Sequence, residues 1–197
     1  NRLKLYYLQS ENPDVSNVPF EVKLVTEEPF VEVAFLDEKG QLVHAKSQLI
    51  GRYNFSNIMT AVVIGKYFKV PAEKIVAAIE SYIPNNNRSQ LVEVGSNTFI
   101  LDAYNANPTS MKSAISSFIK VTGKHKVAIL GAMKELGQYS DEEHLAIAAL
   151  AKSGGFTKLV LVGEEFRKAA DSTGALFFEN TLQLKEWYSS QAFHETK

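Results

Sequence analysis

The chain contains no cysteine, so a disulfide framework, a thiolate-held zinc and a cysteine nucleophile are all excluded. Neither sign of charge dominates, since 21 Lys and Arg stand against 22 Asp and Glu for a formal net charge of −1. That balance provides no broad positive field to hold a nucleic-acid backbone or an anionic membrane surface. No stretch approaches the ~18 consecutive apolar residues of a membrane-spanning helix, and no internal repeat or low-complexity run interrupts the sequence. The chain opens on Asn1 without an apolar leader or a transit-peptide pattern, and the expectation is an excerpt of a longer, soluble, cytoplasmic protein. What is present is ordinary globular material: 197 residues, 45% hydrophobic and 22% charged, enough for one large domain or two small ones. Its chemistry has to come from oxygen and nitrogen groups.

Residues 3–8, 20–26, 30–36 and 42–47 are rich in Val, Phe, Leu and Tyr and are separated by Asn12-Pro13, Glu28-Pro29 and Glu38-Lys39-Gly40. This is the pattern of short strands with turn punctuation. After Gly51 the period changes. Phe55, Ile58, Met59 and Val62 recur at helical spacing, and a second set, Ile75, Ile79, Tyr82 and Ile83, follows Pro71 at a helix start. The polar run Pro84-Asn85-Asn86-Asn87-Arg88 then separates two differently patterned halves, which places a hinge there and predicts units 1–83 and 84–197.

Beyond Gln90 strand and helix alternate. Strands are expected at 91–94 and 98–101, then a helix at 108–121 with Met111, Ala114, Ile115, Phe118 and Ile119 on one face, then an apolar strand at 126–130. Ser140 and Glu143 have the spacing of a capping box for a helix through Lys152. A strand at 158–162, a short helix after Gly163, a strand at 175–178 and a helix containing Leu182 and Trp187 complete the pattern. The predicted fold class is α/β, a mostly parallel sheet with helices on both faces, preceded by part of a second unit.

Ligands of such open sheets gather beyond the carboxyl ends of the strands, and two segments occupy those positions. The first is Asp102-Ala103-Tyr104-Asn105-Ala106-Asn107-Pro108. There a carboxylate is placed to accept hydrogen bonds from ribose hydroxyls, and a helix start offers free backbone N–H groups. Asn107 before Pro108 reads first as an ordinary N-cap, Asp102 first as a binding group. The second is Gly131-Ala132-Met133-Lys134-Glu135-Leu136-Gly137, which has neither the dinucleotide fingerprint nor the P-loop spacing. It is read as a tight turn, with Lys134 and Glu135 either a solvated pair or part of a cleft. A third segment, Gly51-Arg52-Tyr53-Asn54-Phe55-Ser56-Asn57, projects two carboxamides three residues apart from one face of a helix start, chemistry suited to a purine edge. Capping by Asn54 is the plainer alternative. The four histidines, His44, His125, His144 and His194, have no metal spacing and no Ser/His/Asp order; His144, near the 131–137 loop, is the one to follow.

Taken together, Gly51-x-x-Asn54-x-x-Asn57, Arg88, Asp102-x-Tyr104-Asn105-Ala106-Asn107-Pro108, Leu130-Gly131-x-Met133-x-Glu135-Leu136-Gly137 and His144 resemble the Mur ligase family in order and spacing. The Tyr-Asn-Ala-Asn-Pro string points, within that family, to ligases that use D-Ala-D-Ala. The resemblance implies the end of a central ATPase domain followed by a Rossmann-like C-terminal domain. It implies an ATP-dependent amide ligase that adds D-Ala-D-Ala to UDP-N-acetylmuramoyl tripeptide through an acyl phosphate, in peptidoglycan synthesis. By the same resemblance ATP and magnesium are its cofactors. Asn54 and Asn57 contact adenine, with Tyr53 stacking beside them; Arg88 approaches the phosphates and Asp102 binds ribose. Tyr104, Asn105, Asn107 and Lys134 line the cleft for the incoming amino component.

Departures from the family pattern are visible. The P-loop, the acidic magnesium ligands and the modified lysine are expected upstream of Asn1, so the chain alone is expected to be inactive, without a metal site of its own. Tyr53 stands where the family often has His, Ala132 where it usually has Asp, and the Lys-Gly-Ser motif is absent by Lys197. Another Mur-type amino-acid ligase and a non-catalytic nucleotide-binding module are the alternative readings.

Overall fold

The computed structural model describes residues 21–197; the strand expected at 3–8 lies outside them. Strands β1 (Val22–Thr26), β2 (Glu32–Leu36) and β3 (Leu42–Lys46) form an antiparallel sheet in the order β1-β2-β3. Helices α1 (Asn54–Tyr67) and α2 (Ala72–Ser81) follow it. Val31, Val33, Phe35 and Ala45 from the sheet region pack with Ile58, Met59 and Val62 of α1 and Ile75 and Ile79 of α2 in one apolar core. Tyr82 and Ile83, expected on the apolar face of α2, lie past its end and are exposed. Pro84 disfavours helical backbone at Ile83, so the helix has to end before it, and the chain is already extended at the C-cap Tyr82.

A second core, sharing no residue with the first, lies beyond the 84–88 segment. Strands β4 (Gln90–Val94) and β5 (Asn97–Leu101) lead to α3 (Pro108–Lys120), β6 (Val127–Gly131), α4 (Ser140–Ser153), β7 (Lys158–Val162), α5 (Arg167–Thr173), β8 (Leu176–Phe178) and α6 (Thr181–Ser189). Strands β6, β7 and β8 are parallel in that order. Every residue of β7 after Lys158 is buried, the mark of a central strand covered on both faces. Leu159 and Leu161 face Met111 and Ile115 of α3, Ile147, Ala148 and Ala151 of α4 and Ala169 and Ala170 of α5. On the opposite face Phe178, in register with Val162, meets Trp187 of α6 with ring centroids 5.4 Å apart. The α/β expectation is met.

One departure is β4 with β5, which form an antiparallel hairpin turned at Gly95 (φ 62°) instead of joining the parallel ladder. The hairpin meets the parallel sheet through residues 196 and 197. Thr98 donates its N–H to Thr196 O at 2.9 Å, Lys197 donates to His125 O at 2.9 Å, and Val127 donates to Lys197 O at 2.6 Å. The expected capping box at Ser140 is also absent. A 3-10 turn at Gly137–Tyr139 runs directly into α4, Ser140 already has helical backbone, and its hydroxyl sits 3.3 Å from His144 Nδ1 instead of capping. Among the described residues no helix is long and apolar enough to cross a membrane.

Candidate functional site

Asp102 stands one residue beyond the carboxyl end of β5, exposed, before the turn into α3. Its two oxygens are held separately. Oδ1 accepts the backbone N–H of Ser89 at 3.2 Å, and Oδ2 accepts the phenol of Tyr53 at 3.2 Å. Tyr53 belongs to the other half of the chain, just ahead of α1, so a bond spanning 49 residues ties the strand-end acid to the helix start.

Ser89 is the hub of this contact. It is 2% exposed with a left-handed backbone (φ 51°). Its Oγ lies 2.6 Å from Tyr53 Oη and accepts from Asn54 Nδ2 at 3.0 Å. The hydrogen positions follow from the acceptors: an ionised carboxylate only accepts, so the single phenolic proton of Tyr53 goes to Asp102 and the Ser89 hydroxyl donates to Tyr53. Asn54 Nδ2 also donates to Ile50 O at 2.9 Å, and Asn54 Oδ1 accepts from Asn57 Nδ2 at 3.1 Å. The donors therefore run one way, from Asn57 through Asn54, Ser89 and Tyr53, and end on Asp102. In such a chain each bond polarises the next.

Burial gives these groups different tasks. Asn54 is buried, and both of its amide hydrogens and its oxygen are engaged, so it does not cap α1, whose start has no side-chain cap. Asn57, one turn on, is exposed and presents its carboxamide to solvent. Burial pushes the Tyr53 phenol up to about 12, with the neighbouring Asp102 charge acting in the same direction and the Ser89 hydrogen bond against it. Tyr53 therefore stays a neutral donor across the physiological range. The left-handed Gly51 (φ 89°) belongs to the same arrangement, because a Cβ there would lie 2.6 Å from Tyr53 Cε1 and 2.9 Å from Ser117 Oγ.

The remaining predicted residues are distributed around this line. Arg88 lays its guanidinium over the Tyr104 ring, 3.8 Å from the centroid, a cation–π contact that presets the Arg88 charge beside the hinge. Asn105 folds its carbonyl back onto the N–H of Ala106 at 2.9 Å. Asn107 accepts from Ser110 N at 2.9 Å in a complete capping box that starts α3. A cleft of about 650 Å³ between β5, α3 and β6 includes Tyr53, Asp102 and Asn105 in its lining, whereas Asn54, Asn57, Arg88, Tyr104, Asn107 and Lys134 are not part of that wall.

Lys134 is engaged elsewhere. It pairs with Glu165, not with Glu135, and this bond holds the Glu165 carboxyl below the usual carboxylate range. The 131–137 loop is anchored from beneath by His144, which is fully buried; its Nδ1–H donates to Ser140 O at 2.7 Å and its Nε2 accepts the Met133 N–H at 3.0 Å. Its ring stands edge-on to Phe166 with centroids 4.5 Å apart. The turn after β7 packs against the same loop, because a Cβ on Gly163 (φ 112°) would lie 2.6 Å from Ala132 Cβ. Among the described residues no three His, Asp or Glu side chains gather as a metal site. Ser89 and Glu165 had no sequence signal; the backbone turn and the partners 36 and 31 residues away that give them roles exist in the folded chain alone.

Known proteins share this architecture. Residues 87–183 match the family described as Mur ligase, glutamate ligase domain. The chain is 35% identical over 121 residues to the UDP-N-acetylmuramoyl-tripeptide--D-alanyl-D-alanine ligase of Treponema pallidum, covering 61% of this chain and 26% of that protein. It superposes on a crystal structure of MurF from Acinetobacter baumannii with a TM-score of 0.74 at 25% identity, covering 85% of this chain and 37% of that one. A MurF ligase from Thermotoga maritima solved with ADP shares the fold at a TM-score of 0.68 and 16% identity, over 90% of this chain and 40% of the other. The chain thus spans about a quarter of the length of the curated relatives it matches. On the matched domain, the shared architecture and the ordered motifs, residues 87–183 belong to the Mur ligase family.

Proposed function

We propose that this chain is the nucleotide-closing part of an ATP-dependent amide ligase that joins D-Ala-D-Ala to a UDP-N-acetylmuramoyl tripeptide in peptidoglycan synthesis, a cytoplasmic reaction. The division falls at 83/84, with residues 1–83 ending a central ATP-binding domain and 84–197 belonging to the C-terminal domain. The observation that carries the reading is the run of hydrogen bonds from Asn57 to Asp102 across that joint. It sets an exposed carboxamide and an exposed carboxylate at the two ends of one connected frame, the donor and acceptor set that a purine edge and a ribose require.

In this reading Asn57 meets the adenine edge while Asn54, turned inward, orients it. Asp102 retains lone pairs on both oxygens for the ribose hydroxyls. Arg88, held over Tyr104, supplies positive charge toward the phosphates, and Tyr104 and Asn105 face the amino component. ATP provides the phosphoryl group that activates the acceptor carboxylate; magnesium arrives with its phosphates, and no residue of this chain is assigned to hold it. Because the nucleotide would touch both halves, its binding favours closure, and closure keeps water from a hydrolysis-prone acyl phosphate.

The test is a full-length ligase carrying this chain, assayed for ADP release with UDP-muramoyl tripeptide and D-Ala-D-Ala. Peptide-dependent ADP is expected, and its absence refutes the reading. Asp102→Ala is expected to weaken nucleotide binding by about tenfold, the loss of one or two hydrogen bonds to a charged group, and to lower the melting temperature as well, since the Ser89 N–H and the Tyr53 hydroxyl lose their acceptor. An unaltered nucleotide affinity in that variant removes Asp102 from the site.

A further inference from the structure

Ser89 is a non-glycine residue in left-handed backbone and almost completely buried. Such a conformation costs energy that glycine would not incur, and it persists where the surroundings over-determine it. What holds it here is its own hydrogen bonding. The backbone N–H fixes one oxygen of Asp102, and the hydroxyl accepts from Asn54 and donates to Tyr53, which fixes the other oxygen. A single buried residue thereby orients the acid from two sides and, through Asn54 Oδ1, the carboxamide of Asn57 as well. Glycine would satisfy the backbone and supply none of the hydroxyl's contacts.

We infer that Ser89 is a positioning residue for the nucleotide site, presetting Asp102 and the Asn57 carboxamide relative to one another through its hydroxyl. The inference rests on the nucleotide-site reading given above. Pre-organised groups bind more tightly because less conformational freedom is lost when the ligand arrives. The effect belongs to ground-state binding of ATP, so it falls on KM for ATP and leaves kcat in place.

The decisive variant is Ser89→Gly in the full-length ligase, since glycine keeps the left-handed backbone and removes only the hydroxyl. The expected result is a rise in KM for ATP and in Kd for ADP of about tenfold, from the loss of two neutral hydrogen bonds and the mobility that follows. The melting temperature should fall only modestly, because relief of the left-handed strain offsets part of the cost of leaving the buried Asn54 amide hydrogen without its Ser89 acceptor. A residue with a merely structural role would move stability and not KM. Tyr53→Phe breaks the next link and should raise KM similarly, and the double variant should be no worse than either single one, the non-additivity of two members of one network. An unchanged KM in Ser89→Gly, or strict additivity in the double variant, overturns the inference. Asp102→Ala separates the two levels: if it weakens ADP binding while Ser89→Gly does not, the positioning role fails alone; if neither does, the nucleotide site itself fails.

Discussion

The phenol of Tyr53 has one proton to give and gives it to a carboxylate, which makes this side chain the most informative single residue in the joint. Burial, then the charge of Asp102, push its titration up to about 12, while an unfolded tyrosine titrates near ~10. A raised folded value means that the neutral form is favoured by folding. Its contribution is complete below the unfolded value and is lost as pH rises through the folded one. Two outcomes follow for the wild-type chain against Tyr53→Phe. The difference in phenolate absorbance between wild type and the variant should show the Tyr53 step near pH 12 or with unfolding. The stability advantage of wild type over the variant should also shrink between about pH 10 and 12. A Tyr53 step near ~10, the value of an unfolded tyrosine, contradicts the buried donor role. Gly51 belongs to the same account, since the ring occupies the space that any side chain at position 51 would take.

At the scale of elements, the loop between β6 and α4 depends on one imidazole. His144 Nε2 accepts the N–H of Met133, itself 1% exposed, and no solvent is near to replace that acceptor. His144→Leu would leave a buried donor unpaired and alter the packing against Phe166, an expected loss of about 2–4 kcal/mol. Urea denaturation measures it, and amide exchange at Met133 should accelerate in the same variant; a midpoint that stays at the wild-type value refutes the anchoring role. Apolar spacing made α1, α3 and the buried strand β7 legible, because it is set by burial and burial decides each of them. It did not show that β4 and β5 form a hairpin apart from the parallel ladder, since two adjacent apolar runs have the same appearance in either arrangement. Nor did it show that Ser140 would be overtaken by a preceding 3-10 turn. At the site, the capping of Asn107 was legible from local chemistry. The inward turn of Asn54 was not, because Ser89, its partner 35 residues away, has no pattern of its own.

At the scale of the whole chain, two separate apolar cores are joined by polar contacts, and those contacts carry the pH dependence of the joint. Glu27, in the turn after β1, pairs with Lys120 at the end of α3 and with Arg52 before α1, at 2.5 and 3.6 Å. The hydrogen bond from Lys120 is the largest influence on its carboxyl, and together with the two positive charges it holds Glu27 below the usual carboxylate range against the opposing effect of burial. A lowered folded value means that the stabilisation is present above the unfolded carboxyl range and is lost as pH falls through the folded value. Because Lys120 and Arg52 are more than half exposed, the contribution is modest, below about 1 kcal/mol, and is screened by salt. Glu27→Gln should therefore melt slightly below wild type at pH 7 in low salt, and the gap should close as the pH falls below about 4 or as salt is raised. A gap that is constant from neutral to acid pH would show that Glu27 acts through its shape and not its charge. The same variant should leave the Tyr53–Asp102 bond intact, since the two contacts share no group. If Glu27→Gln nevertheless lowers nucleotide affinity in the full-length ligase, the two halves respond as one body and closure is set by the whole joint, not by the line of donors alone.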